Sequence, residues 1–464
     1  MTRGLVVGAA ALACWMALNG TAALAQTSLD SFQVYTAHPR LFLRPQRLRL
    51  LRRERERNSM RWEQFHLLIS GGAPMPEPGF ANALYYQIAG DKPAAQRAIA
   101  WAAGAGRDLR QLALVYDWCE AEMDARQKQI VLERLRAGLR VPAASFSNQA
   151  GQVLAAIGLA GDQAGDDDAV SQAALQKFIQ QEWLGRIIPQ LRAGHSVFHG
   201  DDTYALFETL HAIRDNLNAD LREDFPQFFR ELPLVDLLSY YPPPYPAAEN
   251  EFHIPFSAVV GEPDLRTAAL SRAGELAMVA FDTNAPESQV LQGWLMNDRF
   301  LMRGPFGIGY EMLWANPYQP GLSYYHVPLV MSDDLLGRVL IRSSWEDDAR
   351  WAGYIDGKLQ EFKDGRVVPV DPSGAREPLD LDEATIFFAS ASRKLRSGKK
   401  EANDIFVVGV APRAAYHVEV DDEEMREMPS GPGGVLYLKG VRPDTGVRFT
   451  RESAGGDHPA PTSH

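Results

Sequence analysis

The stretch "ALYYQIAGDKPAA", Ala83 to Ala95, runs apolar into Ala-Gly-Asp and then resumes with helix-forming residues. Glycine is a natural helix stop, because it adopts a left-handed backbone at little cost, and the following aspartate can cap the next helix. The pattern returns in "VLAAIGLAGDQAG", Val153 to Gly165, where Asp162 stands in the place of Asp91. Between the two, "QLALVYDWCEAEMDARQKQIVLERLRAGLR" predicts a further helix pair hinged near Glu122 to Asp124. One amphipathic hairpin cannot bury its own apolar face, so recurring pairs imply a layered or closed array of helical hairpins.

Working outward, apolar spacing of three and four continues from Pro45 to about Pro328. In "PQRLRLLRRERERNSMRWEQFHLLI" it joins Leu48 and Leu51 to Trp62, Phe65, Leu68 and Ile69, with the arginine-rich part as a solvated face. After "YYHVPLVMSDD" the texture changes. "GRVLIRSSW", "RWAGYIDG", "KLQEFKDG" and "RVVPVDPSG", then "ATIFFASASR", "DIFVVGVAP", "AAYHVEVDD", "GGVLYLKG" and "TGVRFTRE", are short, β-rich and divided by Asp-Gly or Ser-Gly turns. They predict a small antiparallel β-sandwich after a boundary near residue 330. In "RSSWEDDARW", Trp345 and Trp351 are expected to anchor this sandwich on the helices or fill its core.

The chain opens "MTRGLVVGAAALACWMALNGTAALAQ", with a basic start, an apolar run and a small-residue exit at Ala23-Leu24-Ala25. This is the pattern of a secretory signal over residues 1–25, which places the mature protein in the periplasm or outside the cell. Its loss would remove Arg3 and move the formal charge from −12 to −13. Such an acidic balance argues against nucleic-acid binding, but not against an anionic ligand in a locally basic cleft. No later stretch is long and apolar enough for a membrane span. Without Cys14 only Cys119 remains, so no intrachain disulfide is expected, and Cys119 is read as a buried filler.

"HPRLFLRPQRLRLLR" (His38–Arg52), the Tyr-Asp-Trp of Tyr116 to Trp118, "VLIRSSWEDDARW" (Val339–Trp351) and "VVGVAPRAAYHVEVDD" (Val407–Asp422) together resemble the heparinase II/III-like and alginate-lyase group. The resemblance implies a multidomain α+β fold: an (α/α) toroid, that is an incomplete helical barrel, over 26–330, and a β-sandwich over 331–452. A disordered tail would follow over 453–464. It also implies a lyase acting on acidic polysaccharide, as a monomer or homodimer. One departure is plain. In that family the strands after the segment of Trp345 bring a histidine toward the toroid, whereas "YIDGKLQEFKDG" here brings none, which questions a metal site and the use of the sandwich in catalysis. Asp117, inside an apolar helix, is expected to accept hydrogen bonds from backbone or a neighbouring helix, or else to line the substrate groove.

Three polar stretches can carry chemistry. The first, Ala193 to Asp224, holds His195 and His199, Asp201 or Asp202 as a cap, and Tyr204 and Glu208 four apart on one helix face, followed by Asn216. The second, "SYYPPPYPAAENEFHIPF", supplies Glu251 and His253 beside three prolines that prevent helix. The third, Trp294 to Pro328, offers Arg303, Tyr310, Glu311, Trp314, Tyr325 and His326 in glycine- and proline-rich connections. β-Elimination on a uronate polymer needs a cationic or amide group to neutralise the carboxylate, a base for the C5 proton and an acid for the leaving oxygen. By type, Asn216 and Arg303 are the expected carboxylate binders, His253 the base and Tyr310 the acid. His195, His199, Tyr204, Trp314, Tyr325 and His326 would bind substrate. The rival chemistry, hydrolysis, needs two carboxyl groups, for which Asp202, Glu251 and Glu311 are candidates. A noncatalytic carbohydrate-binding protein is the third reading. No Walker, dinucleotide, His-Glu-x-x-His or nucleophile-elbow motif is present, so no cofactor and no metal are expected.

Overall fold

A computed structural model of the chain describes residues 32–162, 166–198, 202–246, 251–256, 264–298, 302–374, 377–389, 395–396, 402–421, 425–442 and 445–451. The expected signal segment and tail lie outside these residues, as do His199 and Asp201.

The helix-rich part begins with α1 (Pro45–Glu56) and α2 (Met60–Ser70). The two are not one rod. Asn58 takes a positive φ of 49°, and the Ser59 hydroxyl accepts the Trp62 N–H (3.3 Å) to start α2 afresh. Next come α3 (Pro78–Ala89) and α4 (Lys92–Ala103), joined by the Gly-Asp turn. Gly90 is left-handed (φ 74°), and Asp91 accepts the Ala94 N–H at 3.0 Å. Then follow α5 (Leu109–Cys119), α6 (Ala125–Arg140), α7 (Phe146–Leu159) and α8 (Asp166–Gln176). A π-helical run, Lys177–Ile187, leads from α8 into the short α9 (Ile188–Arg192). The set closes with α10 (Asp202–Leu217), α11 (Pro226–Ser239), α12 (Leu265–Phe281), α13 (Pro286–Asn297) and α14 (Ile308–Trp314). The contacts follow an order: α3 packs on α5, α5 on α7, α7 on α10, α10 on α12, α12 on α14, and α14 returns to α3.

The second Ala-Gly-Asp does not repeat the first. Gly161 is again left-handed (φ 75°), but Asp162 does not cap a helix. Its carboxylate accepts hydrogen bonds from His38 Nε2 (2.9 Å), the Tyr116 hydroxyl (2.9 Å) and the Arg40 guanidinium. Asp117 anchors the other side of the same knot. It takes the backbone N–H of Arg40 (2.9 Å), the N–H of Leu41 (2.8 Å) and His38 Nδ1 (2.5 Å). Trp118 donates its indole N–H to the Leu41 carbonyl at 2.9 Å. Both oxygens of the Asp117 carboxylate are thus matched, which is what makes an aspartate tolerable in an apolar helix. Burial would lower the His38 pKa, but hydrogen bonds to Asp117 and Asp162 outweigh it and lift it to about 9.

A two-stranded sheet, β1 (Tyr245–Pro246) and β2 (Glu251–Phe252), precedes a C-terminal part of three open sheets. The first has the order β3-β4-β5-β6-β7, from Val330–Asp333, Arg338–Arg342, Trp351–Ile355, Lys358–Lys363 and Arg366–Val370. Its hairpins turn at Asp356-Gly357 and Asp364-Gly365, all four with positive φ, as a tight two-residue turn requires. The second runs β14-β11-β9-β8, with β8 Leu379–Asp380, β9 Ala384–Phe388, β11 Asn403–Val408 and β14 Val435–Val441. The third runs β10-β15-β12-β13, with β10 Leu395–Arg396, β12 Ala415–Val420, β13 Arg426–Pro429 and β15 Gly446–Arg451.

Two apolar cores divide these layers. Ile386, Phe388, Phe406 and Val408 pack toward the first sheet, while Phe387, Ile405 and Val407 pack toward the third. A sheet covered on both faces needs apolar residues at every position, and "ATIFF" and "IFVV" supply them. β9 and β11 pair parallel, which corrects the all-antiparallel expectation; side chains buried on both faces carry no signal of strand direction. The first sheet rests on the helices. Trp351 is fully buried in the helical core and donates its indole N–H to the Leu238 carbonyl (2.8 Å).

Candidate functional site

Glu77 is the N-cap residue of α3, yet its side chain caps nothing. One carboxylate oxygen accepts the Tyr310 hydroxyl from α14, and the other accepts a long 3.4 Å bond from Arg110 Nη1 at the start of α5. The rest of the Arg110 guanidinium faces α10. Nε and Nη2 grip Glu208 at 2.7 and 2.8 Å, and Nη2 also donates to the Tyr204 hydroxyl at 3.0 Å. Tyr204 donates to Glu208 (2.7 Å) one turn along the same helix face and accepts the Trp314 indole N–H (3.2 Å). Tyr204 and Tyr310 meet edge to face, 4.8 Å between ring centres, with Phe80 tilted against Tyr310 at 5.2 Å. Four helices therefore contribute to one polar centre, three of them (α3, α5 and α10) through their N-terminal ends.

The centre is buried on its Glu208 side and slightly exposed on its Glu77 and Arg110 side. Glu208 is 1 % exposed, whereas Glu77 and Arg110 keep 17 % and 14 %. Burial raises the Glu77 pKa, more than Arg110 and the Tyr310 hydroxyl lower it, and Asp108 and Glu208 add to the rise. Burial likewise pushes the Tyr204 and Tyr310 phenols up, so both stay protonated donors. Burial works against the Arg110 charge, but Glu208, the two tyrosines and Glu77 overrule it and hold the guanidinium firmly charged. Chemically this is a fixed cation, a carboxyl group of raised basicity beside it, and one loose hydrogen bond between them that an incoming anion can displace.

Of the residues singled out in the sequence, Tyr204, Glu208, Tyr310 and Trp314 meet here. Glu77 and Arg110 were missed. Each stands at a helix start in a segment without histidine or clustered acids, and only the packing of α3 against α5 and α14 joins them to the rest.

The others lie elsewhere. His253 sits in a second buried cluster, its Nδ1 2.5 Å from Asp298, whose other oxygen meets Arg272. Glu275 approaches Arg272 at 3.8 Å, and burial raises its carboxyl pKa to about 7, against the pull of Arg272 and Tyr240. Asn216 is 4 % exposed and gives its amide to the Ala212 carbonyl (2.9 Å), so the structure puts it in the core rather than beside Arg110. Arg303, His195 and His326 are exposed, and Tyr325 stacks on Tyr324 at the surface, 4.5 Å between rings. Asp202 opens α10 and is half-buried, Glu311 is half-buried in α14, and the side chain of Glu251 lies outside the described residues. Cys119 is fully buried and its thiol is pushed up by burial, as befits a filler. Among the described residues, no group of three or more His, Cys, Asp or Glu side chains could hold a metal ion, and no helix is long and apolar enough to cross a membrane. Comparison of the chain with known proteins finds no matching family model and no matching curated protein.

Proposed function

We propose that the protein is an exported polysaccharide lyase, in which a toroid of paired helices cleaves a uronic-acid-containing polymer by β-elimination at the Arg110–Glu77 centre. The observation that carries this reading is the convergence of Arg110, Glu77, Tyr204 and Tyr310 at the N-terminal ends of helices whose contacts run in a circle from α3 through α14 and back. A uronate carboxylate would exchange with Glu77 for the Nη1 donor of Arg110, the loosest contact in the set, and its charge would be matched as the C5 carbanion develops. Glu77 then takes the C5 proton. The C4–O bond breaks as the C4–C5 double bond forms, and Glu77 returns its proton to the leaving oxygen. Tyr310 holds Glu77, while Glu208 and Tyr204 hold Arg110, so these are positioning residues. The signal-like start of the chain supports an extracellular or periplasmic setting.

One observation favours a second reading, hydrolysis. Glu77 and Glu208 flank the same guanidinium, and burial raises the Glu77 pKa, so two carboxyl groups meet at one centre as an acid and a carboxylate partner must. Incubation with alginate, glycosaminoglycans, ulvan-like and pectic polymers separates the two. Lysis leaves an unsaturated uronyl end that absorbs in the ultraviolet; hydrolysis shortens the chain without it. Binding with no change in chain length would count against both.

A further inference from the structure

The far end of the same helices carries a basic pocket in an acidic protein. Its volume is about 350 Å³, and its lining includes Tyr35, His38, Leu43, Leu48, Arg49 and Arg52. It is separate from the Arg110 centre. His38 is tied to Asp117 near the C-terminal end of α5, and Arg52 donates to the Gln87 carbonyl near the C-terminal end of α3. Arg110 and Glu77 stand at the opposite ends of those helices, roughly 15 Å from Gln87 along α3 and about 10 Å from Asp117 along α5 by the rise of a helix.

Two features define what the pocket can take. The first is charge. The His38 imidazolium is matched by Asp117 and Asp162 behind it, but among the described residues Arg52 meets only a neutral carbonyl, at 3.2 Å from both Nε and Nη2. Arg49 has no carboxylate partner among the described residues. The first turn of α1, which lines the pocket, has no acidic residue and no side-chain cap, so its N-terminal partial charge adds to theirs. The second feature is shape. Leu43, Leu48 and the Tyr35 ring make an apolar wall, and Arg44 lies 4.4 Å over that ring and holds it. A cavity of this size falls in the range of small-ligand sites, about 300–1,000 Å³. Two cations beside a flat apolar wall suit a sugar ring that bears an acid group.

We propose that this pocket binds a uronate unit, a carboxylate-bearing sugar ring, at a second site apart from the catalytic centre. The choice of a uronate rests on the proposed substrate class, whereas the pocket's charge and shape do not.

Titration calorimetry on the full chain, with glucuronate as probe and glucose and inorganic phosphate as controls, tests it. Saturable glucuronate binding is expected, with little or none of glucose. The double variant Arg49→Ala/Arg52→Ala should weaken it about tenfold or more, the loss expected for hydrogen bonds to charged groups. Both side chains are exposed, so the variant should keep the wild-type melting temperature. Equal binding of glucose, binding of phosphate without glucuronate, or unchanged affinity in the double variant would each overturn the proposal. The two readings fail separately. If no polymer is cleaved yet glucuronate binding is lost in the double variant, the pocket stands and the lyase falls; cleavage with unaltered glucuronate affinity in that variant gives the reverse.

Discussion

Replacing Asp117 with alanine should destabilise the helix-rich region by about 4 kcal/mol. The carboxylate serves two backbone N–H groups, Arg40 at 2.9 Å and Leu41 at 2.8 Å, as well as the His38 ring at 2.5 Å. Arg40 and Leu41 are fully buried, so water does not replace the lost acceptor. Each orphaned N–H costs about 1–3 kcal/mol, and breaking a buried ion pair by removing one partner costs roughly 3–5 kcal/mol. These overlap, because the same oxygens serve both, which sets the figure near 4 rather than at their sum. Asp117→Asn keeps one acceptor oxygen and should lose about half as much. Denaturant unfolding followed by far-ultraviolet circular dichroism reads the helical signal, which matters because the sheets need not unfold with the helices. The expected order is wild type, then Asp117→Asn, then Asp117→Ala. A loss below about 1 kcal/mol for alanine would refute the clamp, since buried donors left unmatched are not that cheap.

His38 should give stability a pH slope: its pKa rises from 6.5 to about 9 on folding, so its contribution is complete below about pH 6.5 and is lost as pH rises through about 9. Melting curves of wild type and His38→Gln across that window should converge at the alkaline end; parallel curves would contradict it. Glu275, raised to about 7 by burial, favours its neutral form, so stability tied to it is present below about pH 4.5 and is lost as pH rises through about 7. Glu275→Gln should therefore flatten the loss of stability between those values, and a steeper loss would count against the assignment. Trp351→Ala should cost about 3–5 kcal/mol as a large buried truncation, and should loosen the first sheet from the helices, as limited proteolysis near residue 330 would report.

Much of this architecture is legible in local chemistry. Gly90-Asp91 ends one helix and caps the next as its residue types require, and Asp356-Gly357 makes the turn its dipeptide implies. Asp162 shows the limit. It shares Asp91's sequence context, but its carboxylate is claimed by His38, Arg40 and Tyr116, partners more than 40 residues away in each case. The parallel pairing of β9 with β11 is hidden for a similar reason, because a strand buried on both faces has no alternation from which to infer its neighbours. At the polar centre, Tyr204 and Glu208 share a face by simple helical spacing and were within reach. Arg110 and Glu77 join them only because α5 and α3 converge there, a property of helix packing and not of either residue's neighbours.

The proposed chemistry meets its most direct test in Glu77→Gln, assayed by ultraviolet absorbance on whichever uronate polymer the wild-type protein cleaves. Glutamine matches the side chain in size and removes a charge that burial disfavours there, so the variant should fold and melt like wild type. Lysis predicts unsaturated uronyl ends from wild type, and a fall in rate of about 10²–10⁴ when the proton-transfer group is removed. Unsaturated ends formed by Glu77→Gln at the wild-type rate would contradict the assignment of catalysis to this centre.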